Sequence, residues 1–348
     1  MVKKNRLLSK YFKDDGIADS RHLRMVREKL LSRTLGRLER KQCPLCSARH
    51  FMAVAQKDRQ GLPLETLICE ACGLVFSGSY FSQKSAAEYY GKYCNVSKNG
   101  GRSAEEMFKS RTHPEAYCWL RHKWIKEKLG KDLSKINTVV EIGCNDGCNL
   151  LPFHEDGKTV VGCDFDENRM GPGRKLGMTL LVGDIKSILE TGVKADLIIL
   201  SHVMEHLTDI DLFLQQLKQV LAPGGVVYIE VPGLKYWNRP LKDTITDNWI
   251  KSGNDLLGYL QLEHNYCFEW ATLELFLRRN GYLPVAHDEF VRSLSKLDNR
   301  AKIDIILPRS QGEEVFKYLA AVENDRLRNT PIYKLIGRKV KKWIKRFR

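Results

Sequence analysis

The hydrophobic pattern of the chain changes character near residue 137. From there onward, short apolar runs rich in β-branched residues alternate with helical stretches and glycine-rich turns; the runs are NTVVEI, KTVVGCD, ADLIILS and GVVYIEV. This alternation is typical of a parallel sheet with helices on both faces. It predicts an α/β, doubly wound, mostly parallel sheet, completed by a helix over 269–280 and by runs around 283–290 and 301–307. Residues 233–262 break the rhythm, and we predict that they form a substrate-lid insertion over the site.

The pattern before residue 137 is mostly helical and is interrupted by a short cysteine-rich segment. Residues 17–41 place apolar side chains at three- and four-residue spacing, which predicts an amphipathic basic helix. Residues 83–135 are also predicted to be helical. The predicted order is a basic helical arm (1–42), a cysteine-rich module (43–81), a helical linker (82–135), the α/β domain (136–310) and C-terminal helices with a basic amphipathic tail (311–348).

Positive charge is concentrated at the two ends of the chain. The net charge is +15, yet residues 1–42 hold 13 Lys/Arg against 5 Asp/Glu, and residues 332–348 hold 8 Lys/Arg and no acid. The nearly neutral remainder argues against a broad nucleic-acid groove and favours terminal arms that contact an anionic surface. In a helix the apolar residues of 332–348 share one face, which predicts binding to an anionic membrane surface. Docking of this face on the catalytic domain and RNA binding are the alternatives.

The composition is that of a globular protein, with 348 residues, 43% hydrophobic and 28% charged. The longest apolar runs, such as LIIL and VVYI, fall far short of the roughly 18 residues that span a bilayer. The first residues have no apolar segment of the kind found in secretory signals. These features predict a cytoplasmic protein, in which ten cysteines indicate thiols or metal rather than disulfides.

Four cysteines form two C-x2-C pairs in the cysteine-rich module. The pairs are CPLC (Cys43, Cys46) and CEAC (Cys69, Cys72), and 22 residues separate them. Two such pairs can place four thiolates tetrahedrally around Zn²⁺, and a closed four-sulfur shell leaves no position for a substrate. We therefore predict a structural zinc site, the alternative being four unrelated buried cysteines.

The first strand of the α/β region ends in an acidic residue that is followed by a glycine-containing turn. That residue is Glu141; the next strand ends in Asp164, and the third is followed by a GDI run with Asp184 and Ile185. At the carboxyl edge of such a sheet the backbone can approach a nucleotide-like ligand closely. Asp164 is placed to accept hydrogen bonds from ribose hydroxyls and Asp184 to lie beside an adenine. Because Glu141 would repel a pyrophosphate, a cationic sulfonium with a free amino group suits this edge better.

These residues resemble the motifs of class I S-adenosylmethionine-dependent methyltransferases over about residues 135–310. The family's E-x-G-x-G-x-G loop maps onto this chain with Asn145 where the middle glycine is usual, and asparagine tolerates positive φ better than other non-glycine residues. The resemblance implies a seven-stranded Rossmann-like sheet and S-adenosylmethionine as cofactor. The cofactor-binding residues that it implies are Glu141, Gly143, Cys144, Asn145, Gly147, Asp164, Asp184, Ile185 and Ser201.

Two later segments resemble one branch of these enzymes. SHVMEHLTD (201–209) is similar to that branch's HVLEHL segment, and QLEHNYCFEWATLELFLRRNGY (261–282) to its EH-x3-F-x3-TL ending. The N-terminal piece resembles a companion zinc-ribbon module, with CGLVF (72–76) and YY-x2-Y (89–93). Many proteins of this two-part kind act in surface-polysaccharide or modified-sugar pathways, so the resemblance implies a saccharide acceptor.

Methyl transfer to oxygen or carbon usually requires removal of a proton, and histidine is suited to this task near neutral pH. His264, beside Glu263 at the junction of the insertion and the next helix, is our first candidate for the general base. His202 and Glu205 directly follow the fourth strand, and His206 comes next. Packing and capping are the alternatives for each of them, and His154 is a weaker candidate.

The sequence thus predicts a methyltransferase that O-methylates a nucleotide-linked or lipid-linked saccharide. The alternatives are C-methylation of a nucleotide-linked keto-sugar, methylation of RNA or protein, and a non-catalytic S-adenosylmethionine-binding scaffold. The near-neutral body weakens the RNA alternative, since RNA binding normally needs distributed positive charge. The intact Glu141, Asp164 and Asp184 argue against the scaffold.

Overall fold

The computed structural model describes residues 21–90, 93, 102–234, 259–288, 291–301 and 311–329. Most of the predicted lid (235–258), the first half of the predicted arm (1–20) and the predicted basic tail (332–348) lie outside these residues. Among the described residues, no helix is long and apolar enough to cross a membrane.

The described residues form thirteen strands and ten α-helices. The strands are β1 (Arg37–Glu39), β2 (Phe51–Lys57), β3 (Pro63–Cys69), β4 (Val75–Ser77), β5 (Ser79–Phe81), β6 (Thr138–Ile142), β7 (Thr159–Asp164), β8 (Thr179–Val182), β9 (Ala195–Ser201), β10 (Leu221–Glu230), β11 (Tyr266–Cys267), β12 (Tyr282–His287) and β13 (Arg292–Leu297). The helices are α1 (Arg21–Leu31), α2 (Gln83–Tyr89), α3 (Ala104–Thr112), α4 (Tyr117–Leu129), α5 (Leu151–Glu155), α6 (Gly171–Lys175), α7 (Ile185–Glu190), α8 (Ile210–Val220), α9 (Trp270–Arg279) and α10 (Gln311–Asn329).

A seven-stranded sheet organises the chain after residue 137. Its strand order is β12-β13-β10-β9-β6-β7-β8, with parallel pairing from β10 to β8 and antiparallel pairing of β13 with both β10 and β12. The predicted fold class is therefore confirmed. The order reverses at β6, which lies between β9 and β7, and ligands of doubly wound sheets bind beside such a reversal at the carboxyl edge.

Both faces of this sheet are covered by apolar side chains, as the near-continuous apolar runs of its strands require. On one face Val140, Ile198 and Val227 belong to a core shared with α7, α8 and α9. On the other face Val139 and Leu197 belong to a core shared with α4 and α5. The loops at the carboxyl edge therefore rise from a rigid base.

The sheet contains a strand that the sequence did not predict, β13 at Arg292–Leu297. The predicted run around 301–307 lies, apart from Ala301, outside the described residues, so it stays a prediction. The run RSLSKL was not predicted as a strand because two of its three buried positions are Ser293 and Ser295. Alternation of serine with leucine gives a weak hydrophobic signal for a strand.

The predicted arm helix over 17–41 is wrong in its second half. Helix α1 ends at Leu31, and Arg37–Glu39 form β1, which pairs antiparallel with β5. The stretch predicted as a helical linker does contain helices, namely α2, α3 and α4. The apolar spacing around Leu35 reflects burial of that side chain in the N-terminal core rather than a continuing helix.

The cysteine-rich module shares a sheet with the methyltransferase-like part of the chain. This four-stranded sheet has the order β11-β4-β3-β2, and β11 comes from residues 266–267, almost two hundred positions after β4. Helix α10 also packs on the module: a Cβ on Gly73 would meet the side chains of Gln311 and Val315, and a Cβ on Gly312 would lie 2.4 Å from the Cys69 carbonyl oxygen. Residues from both ends of the chain therefore build this module.

Candidate functional site

The loop after β6 is a tight turn at the carboxyl edge. Its residues Gly143, Asn145 and Gly147 all have positive φ, of 74°, 52° and 83°. The amide N–H groups of Gly143 and Cys144 both donate to the Cys163 carbonyl, at 2.8 and 2.9 Å. Asn145 thus adopts the backbone conformation that the middle glycine of the family's loop would adopt.

Asp164 joins this loop to the end of β7. Its two carboxylate oxygens accept the backbone N–H groups of Asn145 and Asp166, each at 2.9 Å. A carboxylate has about four lone-pair positions, so these two bonds leave capacity for ribose hydroxyls. The ribose contact itself stays a prediction.

The third strand leads into a helix capped by Asp184. One of its carboxylate oxygens accepts the Lys186 amide N–H at 2.8 Å, and the Ile185 side chain is buried. The sequence reasoning missed Phe165, which directly follows Asp164 and is 72% exposed. An exposed ring beside the Asp184 edge offers a flat apolar surface on which an adenine could stack. An aromatic residue directly after a strand-ending acid was the available signal.

Glu141 is the strongest structural argument for a cationic ligand. Its side chain is fully buried; Oε1 accepts a hydrogen bond from the Asn149 amide at 2.6 Å, whereas Oε2 has no partner within the described residues. Burial raises the pKa of Glu141 to about 8, so at neutral pH a cation close by would be needed to keep the group ionised. A buried carboxylate oxygen without a donor is suited to an ammonium or sulfonium group, so the residues present fit S-adenosylmethionine.

Cys144 and Ser201 are two further residues that are predicted to bind the cofactor, and the structure gives the position of each. The Cys144 side chain is buried against β7, where a Cβ on Gly162 would lie 2.7 Å from the Cys144 sulfur. Burial raises the pKa of the Cys144 thiol, which keeps it neutral. Ser201 ends β9 and pairs in register with Glu230 of β10. Neither arrangement tests their predicted contact with the cofactor.

His202 lies directly after β9, between two buried carboxylates. Its φ is +56°, and its amide N–H donates to the Glu230 carbonyl at 2.8 Å. Its Nδ1 lies 3.3 Å from Oε1 of Glu205 and its Nε2 3.7 Å from Oε1 of Glu230, while 44% of its side chain is exposed. Burial lowers the pKa of His202, but the close contact with Glu205 and the charges of both carboxylates outweigh this and raise it.

Glu230 ends β10 in a network that sequence reasoning missed. Arg121 donates to Oε2 of Glu230 at 2.8 Å, Tyr228 donates to the same oxygen at 2.6 Å, and Tyr117 donates to Oε1. Although burial would raise the pKa of Glu230, the charges of Arg121 and His202 lower it to about 2. Tyr117 and Arg121 are four residues apart and so share one face of α4, but nothing in the sequence connects that face with Glu230, 109 positions after Arg121.

His206 and His264 lie together behind Glu205. Their ring centroids are 4.9 Å apart, and Nδ1 of His206 lies 3.1 Å from the Glu263 carbonyl oxygen. Nε2 of His206 is 4.0 Å from Oε1 of Glu205. One ligand atom each from Glu205, His206 and His264 lie within 4.8 Å of one another, so the three could hold a metal ion. His264 is only 9% exposed. The site thus brings all four predicted catalytic residues together, and its geometry favours His202 over His264 as the base.

The four cysteines of the N-terminal module also lie together. Their sulfurs are all within 4.8 Å of one another, with Cys43 to Cys72 and Cys46 to Cys69 each at 3.5 Å. Four sulfurs at about 2.3 Å from one ion would be about 3.8 Å apart. The cluster therefore fits a tetrahedral Zn²⁺, consistent with the predicted zinc ribbon.

Comparison with known proteins identifies the family. A family model described as a methyltransferase domain matches residues 112–287, which is half of the chain. The chain belongs to this family. The predicted membership of the S-adenosylmethionine-dependent methyltransferases is thereby confirmed.

Curated relatives match this methyltransferase over a shorter stretch. A protein of Chelativorans sp. (strain BNC1), named ubiquinone biosynthesis O-methyltransferase, is 29% identical over 97 residues, which are 26% of this chain and 38% of the relative. A protein of the same name from Agrobacterium fabrum (strain C58 / ATCC 33970) is 30% identical over 96 residues, with the same shares. The chain thus spans about two fifths of the length of these relatives.

Solved structures of methyltransferases are also similar. An S-adenosylmethionine-dependent methyltransferase from Archaeoglobus fulgidus is 20% identical with a TM-score of 0.36, covering 51% of this chain and 74% of its own. Human N-acetylserotonin methyltransferase is 14% identical with a TM-score of 0.43, covering 61% of this chain and 62% of its own.

Proposed function

We propose that this methyltransferase transfers the methyl group of S-adenosylmethionine to a hydroxyl oxygen of a saccharide, with His202 as the general base. The position of His202 between Glu205 and Glu230 at the carboxyl edge is the observation that carries this proposal. The curated relatives are named O-methyltransferases, which supports oxygen as the acceptor atom.

The chain's own residues would perform three tasks in this reaction. Glu141, whose Oε2 has no partner in the described part of the chain, would bind and orient the cofactor together with the loop of positive-φ residues. The cofactor would supply a methyl group on a positively charged sulfur. His202 would take the hydroxyl proton as the new O–C bond forms and the S–C bond breaks. Glu205 would stabilise the resulting imidazolium because it stays ionised: burial would raise its pKa, but His202, His206 and His264 lower it.

The saccharide acceptor rests on the resemblance of the two-part architecture. The fitted four-cysteine cluster and its joint sheet with the catalytic part support that architecture. The acceptor would be a nucleotide-linked or lipid-linked sugar. C-methylation of a nucleotide-linked keto-sugar is the alternative that uses the same base, because an enolate also requires removal of a proton.

An acceptor panel tests this proposal. The full chain would be incubated with methyl-labelled S-adenosylmethionine and nucleotide sugars, 4-keto sugars, undecaprenyl-linked glycans, catechols or tRNA. Alkali-stable label on a sugar oxygen supports the proposal. Label on carbon, with hydrogen exchange next to the ketone, would replace it by C-methylation; label on a catechol or tRNA would replace the saccharide. Binding without transfer to any acceptor would support the scaffold.

Two further predictions belong with this function. Zn²⁺ would be held by Cys43, Cys46, Cys69 and Cys72 as a structural ion. The basic tail (332–348) would contact an anionic membrane surface on its cytoplasmic side, where lipid-linked acceptors are found.

A further inference from the structure

The four-cysteine module is bonded to a short segment of the catalytic part, residues 264–267, which we call the clamp segment. In the shared sheet Tyr266 pairs with Phe76 and Cys267 with Val75. The Ser77 amide N–H extends this ladder by donating to the Asn265 carbonyl at 2.9 Å. Strand β4, which makes these contacts, begins three residues after the last cysteine of the cluster.

The clamp segment holds the catalytic loop (202–207) on its other side through Asn265. The Asn265 backbone N–H donates to the Glu205 carbonyl at 2.7 Å. Its side-chain amide donates to the carbonyls of His206 and Leu207, at 2.8 and 3.1 Å. Asn265 is 7% exposed, and its donors satisfy three consecutive backbone carbonyls of the loop.

A second connection runs from the cysteine pair CPLC to the helix after the catalytic loop. The Arg279 guanidinium donates to the backbone carbonyls of Pro44 (3.0 Å) and Leu45, and forms an ion pair with Asp211 on α8. A third contact comes from Arg40, which donates to the Thr208 carbonyl at 3.3 Å. The second half of the catalytic loop and the residues that follow it are therefore tied to the N-terminal module.

We propose that the four-cysteine module positions the catalytic loop. Asn265 is the positioning residue through which the folded module holds Glu205 and His206 in place. The significance for catalysis rests on the proposed function, but the mechanical coupling does not. A bound metal contributes folding free energy to a small module of this kind. The stabilised backbone of the module would in turn fix β4 and, through the shared ladder, the clamp segment. Without the metal, the backbone of Asn265 would no longer be fixed in the position from which its N–H groups donate to the catalytic loop.

Hydrogen–deuterium exchange on the full chain tests the coupling without any acceptor. Zn²⁺-loaded protein would be compared with protein treated with a chelator and with Cys69→Ser, which weakens the four-cysteine site but leaves the second possible metal group, Glu205, His206 and His264, intact. We expect exchange about tenfold faster in peptides covering 202–208 and 261–268, with peptides covering β7 and β8 unchanged. Faster exchange confined to 43–81 would overturn the proposal.

A pair of variants that retain all four cysteines separates positioning from general loss of stability. Asn265→Ala removes the two side-chain bonds to the catalytic loop, whereas Asn280→Ala removes a similarly buried asparagine whose amide donates to Asp211 and to the Phe276 carbonyl. With equal zinc content, Asn265→Ala should speed exchange at 202–208 far more than Asn280→Ala, which reaches only the connection between Arg279 and Asp211, and it should change the NMR chemical shift of the His202 imidazole at fixed pH. Unchanged exchange there in Asn265→Ala, or an equal change in Asn280→Ala, would overturn the proposal. If chelation unfolds the whole chain, the comparison of these two variants alone tests the coupling. Because it measures exchange and not activity, its result does not depend on whether an acceptor is methylated.

Discussion

The Nδ1 atom of His202 lies 3.3 Å from Oε1 of Glu205, three residues further along the turn after β9. Glu205 is almost fully buried, while nearly half of the His202 side chain is exposed. The Glu205 carboxylate thus orients the His202 ring, whose Nε2 lies on the side of Glu230 at the end of β10. His202 holds positive φ at this point, a conformation that is uncommon for non-glycine residues and that clusters at functional sites.

His202→Asn should lower turnover about 10²- to 10⁴-fold, the usual contribution of a positioned base. Binding of S-adenosylmethionine, measured by calorimetry, should change little. His154→Asn is the matched control, because His154 lies on α5, outside this cluster, and its ring contacts the Leu176 carbonyl oxygen. His264→Ala should reduce turnover less than His202→Asn does. The reverse order would return the role of base to His264.

Activity should fall at low pH because the base must be neutral. Since Glu205 and Glu230 raise the pKa of His202, its protonated form persists to higher pH than for an ordinary histidine. Glu205→Gln removes one of these charges, so the pKa of His202 should fall and the acid side of the kcat/KM profile should move to lower pH. NMR titration of labelled imidazoles, assigned with His202→Asn, checks the direction. An acid side that does not move would exclude His202 as the titrating base.

Asp164→Ala should weaken S-adenosylmethionine binding. Loss of hydrogen bonds to a charged group costs about 1.5–3 kcal/mol, or about 10- to 150-fold in Kd. Asp164 also holds the Asn145 amide, so part of the loss would come from the loop. Asp196→Ala is the control, because Asp196 likewise accepts two backbone N–H groups, from Asn137 and Thr138, at the start of β6. Equal affinity in the two variants would contradict the ribose assignment.

Metal analysis of the purified chain should find one tightly bound Zn²⁺. Cys69→Ser should lower the metal content and the melting temperature, because the remaining three thiolates no longer close the shell. S-adenosylmethionine affinity should be largely retained, since the loop after β6 is not part of the shared sheet. Cys118→Ser, at another buried cysteine, is the control. A zinc-free wild-type protein of equal stability would contradict this prediction.

The sequence predicted well what local pattern encodes. The β-branched runs became β6, β7, β9 and β10, and the spacing of the cysteines predicted their cluster. Asn145 was predicted to tolerate the glycine position of its loop, and it has positive φ. These features depend on residues close in sequence or on a fixed spacing.

Long-range pairing was beyond the sequence pattern. Nothing in residues 264–267 indicates that β11 pairs with β4, because a two-residue strand has no periodicity of its own. The contact between Arg121 and Glu230 spans 109 positions and is equally invisible. The choice between His264 and His202 also depends on long-range contacts, because only the folded chain shows that His264 is buried and that His202 lies between two carboxylates.

Deleting residues 332–348 should abolish binding to anionic liposomes. The segment lies outside the described residues, so the prediction rests on its sequence alone. It contains eight Lys/Arg and no acidic residue, and its apolar residues would share one face of a helix. Each basic residue near an anionic leaflet contributes about 1 kcal/mol, and the apolar face adds burial in the headgroup region. Full-length protein should co-sediment with phosphatidylglycerol vesicles and be released at high salt, where the screening length falls to about 3 Å at 1 M.

Replacing only Trp343, Ile344 and Phe347 by Ser is the matched variant, because it keeps every charge. Weaker binding that is still salt-sensitive would show that the binding left in this variant is electrostatic. Binding that survives the deletion would assign the contact to the basic N-terminal arm (1–42), and no binding by the full chain would favour docking of this face on the catalytic domain.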